Sequence, residues 1–255
     1  MSHQLVANNS SVILSFILVL ISLYIGWKEK LGVDKEIVIA VVRAIIQLTI
    51  VGYVLKYVFK INNWMLTAAI MLFIIFNAAY NAKQRSNKLP QAMWISLLAI
   101  FTGTGVSIFV VILTGSIKFV PMQIVPITGM MAGQSMVAVG LCYRNMNSYF
   151  KDRREQVMEK LSLGATPLLA SKDIIRDSIK TGIQPTIDSA KTLGLVSLPG
   201  MMSGLIFAGV DPVLAIKYQI MVSFMLLSNT SLAAIIACYC AYKKYYNSRD
   251  QLITD

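Results

Sequence analysis

Histidine is almost missing from this sequence: His3, at the N-terminus, is the only one. Neither a multi-histidine metal site nor histidine general-base chemistry has anything to build on. Charge is scarce, at 14% of the residues, where a soluble domain carries about 25%. Three cysteines give no disulfide framework. There is no G-x-x-x-x-G-K-[ST] loop, so the chain cannot hold ATP by that route, and no G-x-S-x-G for a serine nucleophile. Paired carboxylates within the apolar runs are absent as well. The expectation is a chain with no catalytic residues and no bound cofactor, not an enzyme.

What fills the 255 residues is apolar: 56% by count, with a mean hydropathy of +0.65. That balance excludes disorder, collagen, coiled coil and a soluble fold. The net charge of +11 comes from basic residues lying between long apolar runs, which points to membrane flanks and lipid, with no nucleic acid partner.

A bilayer-crossing helix needs about 20 mostly apolar residues. Seven stretches qualify: Ser11–Trp27, Ile37–Phe59, Trp64–Tyr80, Ala92–Gly115, Pro121–Tyr143, Leu193–Val210 and Val213–Tyr242. The first lacks a basic leader and a small-residue cleavage site, and reads as a retained span. No ten-residue alternating pattern suggests a barrel. The fold class is therefore all-α: a polytopic membrane protein of about seven transmembrane helices, one membrane domain over 1–255, multi-pass in the cell membrane.

Basic residues set the orientation. Eighteen fall in the 28–36 and 83–91 loops, the 144–192 segment and the tail, whereas Lys56, Lys60, Lys118 and Lys217 mark the opposite side. The positive-inside rule then places the N-terminus outside and the C-terminus in the cytoplasm. By this topology Asp211 is the one acidic residue between the first span and the tail that is not cytoplasmic.

The long cytoplasmic segment, 144–192, carries helix punctuation. Val157, Met158 and Leu161 recur at helical spacing, with Glu155 and Glu159 on the wet side. Gly164 suits a C-cap, Thr166 an N-cap and Pro167 the first position of a second amphipathic helix bearing Leu168, Ile175 and Ile179. Gln184-Pro185 predicts its interruption. Two roles are open to this pair: surface helices on anionic lipid, or a docking element for a cytoplasmic partner. Nine basic against six acidic residues favour docking, since a lipid patch would be more purely basic.

Two of these stretches, Glu159-Lys-Leu-Ser-Leu-Gly164-Ala165-Thr166 and Leu198-Pro199-Gly200, resemble the EAA-type signature of ABC-transporter permeases. Further matches lie at Arg43-Ala-Ile-Ile-Gln47-Leu, Asn77-Ala-Ala-Tyr-Asn81-Ala, Pro126-Ile-Thr-Gly129-Met130-Met-Ala-Gly133-Gln134-Ser-Met136, Leu198-Pro-Gly-Met201-Met-Ser-Gly204 and Tyr218-Gln219. In this order they resemble the FetB-type permeases, a family tied to iron export whose plant relatives are linked to aluminium tolerance. Gln134 stands where that family typically has Asn. The resemblance implies a homodimeric permease driven by two copies of a separate ATP-binding subunit, on which ATP and Mg would sit. Glu159, Leu163, Gly164, Ala165 and Thr166 would then form the coupling element. An ATP-independent membrane binding or signalling protein with lipid-engaging helices is the alternative.

Inside the spans, Arg43 and Gln47 share one helix face. Arg43 either snorkels to the interface or faces a pathway. Gly129-Met130-Met-Ala-Gly133 and Gly200-Met201-Met-Ser-Gly204 are each a G-x-x-x-G behind a proline, Pro126 or Pro199. Each permits close helix approach, and serves either packing or a moving pathway wall that includes Gln134. The methionine thioethers suit Cu(I) better than iron, so no metal-ligand set is assigned. Cys238 and Cys240 lie about 200° apart around a helix and cannot converge on one ion.

Overall fold

The computed structural model describes residues 9–86 and 89–253, with side chains from residue 14 onward. His3, Lys88 and the N-terminal residues whose side the charge distribution assigns lie outside the described residues. The chain forms α1 (Asn9–Lys28), α2 (Asp34–Ile61), α3 (Trp64–Gln84), α4 (Ala92–Leu113), α5 (Pro121–Asp152), α6 (Arg154–Ser162), α7 (Pro167–Thr192), α8 (Gly200–Phe207) and α9 (Pro212–Ala241), followed by a 3-10 turn at Tyr242–Tyr245.

Several starts are written in the local chemistry. Asn63 accepts from the Met65 N–H at 2.8 Å to cap α3. The Asp211 carboxylate accepts from the Val213 and Leu214 N–H groups, and Pro212 takes the first position of α9, where its missing N–H costs nothing. Pro121 opens α5 in the same way.

Among the described residues, α2, α3, α4, α5 and α9 are long and apolar enough to cross a membrane, and α1 adds a shorter apolar helix. The chain is thus an all-helical, multi-pass membrane protein. Helix α5 stands at the centre, packed by α3, α4, α7 and α9, while α1 and α2 form a hairpin that barely touches the rest. Small residues let these helices approach. Gly103 of α4 sits so close to α9 that a β-carbon there would meet the Asn229 carbonyl oxygen at 2.9 Å. Ala233, Ala234 and Ala237 line the same α9 face, fully buried. Such packing replaces the hydrophobic drive that lipid cannot supply. Polar pins add register: Ser96 and Tyr143 share a hydrogen bond of 2.9 Å between α4 and α5, and the Asn229 amide donates to the Met131 carbonyl at 2.8 Å.

Two expectations change. The stretch Leu193–Val210 is not one helix. Residues 193–199 are non-helical, and α8 spans only 8 residues, about 12 Å of rise, too short to cross alone. Pro199, with φ −61° and ψ 144°, is the extended residue that starts α8. The second change is that α7 runs through Gln184-Pro185 without a break. Pro185 forfeits one backbone bond, yet the helix continues past it, with Gly182 and Thr186 buried on either side. Pro126 is likewise carried inside α5, between buried Val125 and Ile127.

Candidate functional site

Three places gather the functional candidates: the α6–α7 turn, the open face of α5 with α8, and the lone Arg43–Gln47 face of α2.

The α6–α7 turn is built as its sequence demands. Gly164 has φ +87°, a left-handed cap that glycine adopts without strain. Its N–H donates to the Leu161 carbonyl and that of Ala165 to Lys160, both at 3.0 Å, closing the end of α6. The Thr166 hydroxyl accepts from the Leu169 N–H at 3.4 Å, and Pro167 begins α7. Two ion pairs brace the hairpin: Arg153 to Asp177 at 2.6 Å and Lys160 to Asp173 at 2.8 Å. The Arg153 guanidinium also lies over the Tyr149 ring. The Lys160 hydrogen bond and charge hold the Asp173 carboxyl below the ordinary carboxylate value.

Inward, Val157, Ile174 and Ile175 are buried; outward, Glu159 is exposed and Leu163 is 82% exposed at the tip, with Met158, Leu168 and Leu169 beside it. A rigid turn with an apolar knob on water is what a docking helix presents to a cleft. Beside it lies a groove of about 760 Å³, walled by Met158, Leu161, Gly164, Ala165 and Thr166 on one side and Arg249 to Leu252 on the other. That second wall was not legible from sequence. The tail folds back because Tyr246 shares a hydrogen bond with Ser171 on α7, and the Asn247 N–H donates to the Gln251 carbonyl at 2.9 Å.

On α5, Met130 and Gly133 are half-buried and Gln134 is exposed, so the motif opens outward. A β-carbon at Gly129, Gly133, Gly200 or Gly204 would meet nothing within 4 Å. The four motif glycines do not face a helix of their own chain closely; the close approaches belong to Gly26, Gly103, Gly140 and Gly182. The two motifs nevertheless converge: Met130 and Pro126 of α5, Met201 and Leu205 of α8, and Lys217 and Tyr218 of α9 line an apolar cavity of about 780 Å³. Pro199 and Gly200 mark its α8 end without lining it.

Arg43 and Gln47 remain apart from both places. They lie exposed on α2, lining a shallow groove with Val38, Ile39, Val42 and Ile46. Among the described residues no three histidine, cysteine, aspartate or glutamate side chains cluster as a metal site. Cys142 and Cys238 are buried and Cys240 half-buried, all as free thiols.

Sequence comparison supplies the wider context. Residues 9–246 match the profile described as Uncharacterised protein family (UPF0014). The chain is 58% identical over 252 residues to "Probable iron export permease protein FetB" of Escherichia coli (strain K12), covering 99% of this chain and 96% of that one. It is 34% identical to "UPF0014 membrane protein YjkA" of Bacillus subtilis (strain 168), over 95% of this chain and 97% of the other. With "Protein ALUMINUM SENSITIVE 3" of Arabidopsis thaliana it shares 31% identity over 94% of its length and 88% of the plant chain. No solved structure matches it. The FetB-like motifs thus rest on near full-length similarity, and the chain belongs to the UPF0014 family of membrane proteins.

Proposed function

We propose that this chain is the membrane-spanning permease subunit of an ABC transporter, exporting iron or another metal as a homodimer worked by a separate ATP-binding subunit. The N-terminus faces outward and the C-terminus the cytoplasm, as the basic residues divide. The permease itself binds no cofactor; ATP and Mg belong to the partner. The name of the 58%-identical relative supports the transported class. The single observation that carries the coupling is the α6–Gly164–α7 turn, braced by two ion pairs and projecting Leu163 into water.

The chemistry is a population shift. ATP-driven closure of the partner subunits favours one of two packings of the spans, and the docked hairpin transmits the preference through α7 into the bundle. Helix α7 suits this task because it is continuous from the Pro167 turn to Thr192.

The test is reconstitution of the permease with a Walker-type ATPase encoded beside it, reading ATPase stimulation. Leu163→Asp places a charge on the apolar knob, and Gly164→Val puts a β-branched residue at φ +87°, costing on the order of 1 kcal/mol or more locally. Both variants insert and fold, and both lose most of the stimulation. Full stimulation by two well-assembled variants would sink the turn as the coupling element, whereas no stimulation by the wild type would favour an ATP-independent protein whose basic hairpin lies on lipid.

A further inference from the structure

The geometry points to a polar, water-filled passage at the break after α7, in which Asp188 is the carboxylate that meets a cationic cargo and Lys191 its resting counter-ion. This rests on the permease reading above, with a second copy of the chain closing the facing wall.

Depth comes first. Helices α5 and α7 pack antiparallel: a β-carbon on Gly182 would stand 3.0 Å from the Ala138 carbonyl, and the Cys142 thiol approaches the Ser178 carbonyl at 3.5 Å. Ala138 lies about 26 Å along α5 from Pro121, close to one face of a hydrocarbon layer about 30 Å thick. Helix α7 therefore enters the layer near Gly182, and its last ten residues rise about 15 Å to mid-depth at Thr192. The basic residues Lys172, Arg176 and Lys180 all precede that entry point.

Within those last turns the outer side of α7 is polar. The Gln184 amide donates to Asp188 Oδ1 at 2.8 Å, and Lys191 Nζ lies 3.6 Å from the same oxygen. Asp188 and Lys191 keep 56% and 67% of their side chains exposed in the single chain. Lipid on that side would leave a carboxylate in hydrocarbon, and aspartate is too short to snorkel out.

The backbone gives an independent second sign. Residues 193–199 are non-helical, turned by Gly194 at φ +82°, and Leu195 and Val196 are 90% and 81% exposed. Irregular backbone at membrane depth persists only where it is buried in protein or lines water. The Asp188 carboxylate, the Gln184 amide oxygen and backbone carbonyl oxygens offer hard donors, suited to a hard metal cation better than the methionine thioethers of the neighbouring cavity.

The experiment uses the full-length chain in membranes, carrying Asp188→Cys, Lys191→Cys, Ser189→Cys or the lipid-facing control Phe73→Cys, with the wild-type thiols as blank. Asp188→Cys and Lys191→Cys should react with a membrane-impermeant maleimide about tenfold faster than Phe73→Cys, as a water-lined wall requires. Millimolar Mn²⁺ should slow labelling of Ser189→Cys several-fold, and Asp188→Asn in the same chain should abolish that protection. Labelling at 188 and 191 no faster than at 73 overturns the passage. Fast labelling without Mn²⁺ protection overturns the cation contact. The ATPase is not needed for either readout, so intact labelling beside absent ATPase stimulation would sink the coupling reading alone.

Discussion

Gly182 of α7 lies against Ala138 and Cys142 of α5 so closely that a β-carbon there would stand 2.4 Å from the Cys142 sulfur and 3.0 Å from the Ala138 carbonyl oxygen. That contact sets how far α7 can approach the central helix, and with it the path from the cytoplasmic turn into the bundle. Gly182→Val must push the two backbones apart, since a carbonyl oxygen cannot yield as a flexible side chain does. We expect a loss of about 1–3 kcal/mol, read as a lower melting temperature in detergent. An unchanged melt would show that α7 does not pack on α5 at this point.

Asn229 is the polar pin of the other seam. It is fully buried, donates to the Met131 carbonyl at 2.8 Å and accepts from the Thr104 hydroxyl at 3.4 Å. Asn229→Ala removes both bonds and leaves a void, for an expected loss of about 1–2 kcal/mol. Asn229→Asp should be worse, because a carboxylate facing the Met131 carbonyl can offer no proton unless it is neutral. Ranking the three melts, wild type above Ala above Asp, checks this.

These two seams show where sequence reading reaches its end. Gly164, Thr166 and Pro167 were legible because cap chemistry is local: each residue type fits its own backbone geometry. The C-terminal end of α6 followed from the same logic, through Gly164. The partner of Gly182 was not legible, since nothing in residues 178–186 names Ala138. The G-x-x-x-G pairs are the conspicuous glycines in the sequence instead, yet a β-carbon on any of the four would meet nothing beyond its own stretch of helix. Leu193–Val210 passed as a span because a hydropathy sum cannot see that Gly194 and Pro199 break the helix. The tail wall at Arg249 to Leu252 depends on the Ser171–Tyr246 bond across 75 residues, a separation no local pattern records.

The Lys160–Asp173 brace should respond to pH with a definite sign. The Asp173 carboxyl is held below its ordinary value by the Lys160 hydrogen bond and charge. A depressed folded value means that the brace contributes fully above the ordinary carboxylate range and is lost as pH falls through the lowered value. Both side chains are largely exposed, so the contribution is under about 1 kcal/mol and weakens in high salt. Hydrogen exchange across α6 should be protected at neutral pH and loosen in acid, and Asp173→Asn should show the looser pattern at neutral pH. A pH-independent pattern in the wild type would rule the brace out.

Gly129, Gly133, Gly200 and Gly204 give the complementary case to Gly182. With no atom beyond their own stretch of helix within 4 Å of a β-carbon at any of them, alanine fits the single chain. In α5 it should even gain up to about 1 kcal/mol of helix propensity at Gly129 and Gly133. Any loss on substitution must therefore come from outside the chain. If the open face of α5 meets a second copy, Gly133→Leu forces the two backbones apart and should reduce dimer cross-linking strongly, while the melt of the isolated chain stays within about 0.5 kcal/mol of wild type. Gly133→Ala, one methyl larger than glycine, should keep most of the dimer. The same comparison at Gly200 and Gly204 asks whether α8 belongs to that seam or to the moving wall of the 780 Å³ cavity beside it, where alanine would leave dimer content intact and alter transport. Normal cross-linking and normal transport in all four leucine variants would show that these faces meet only lipid.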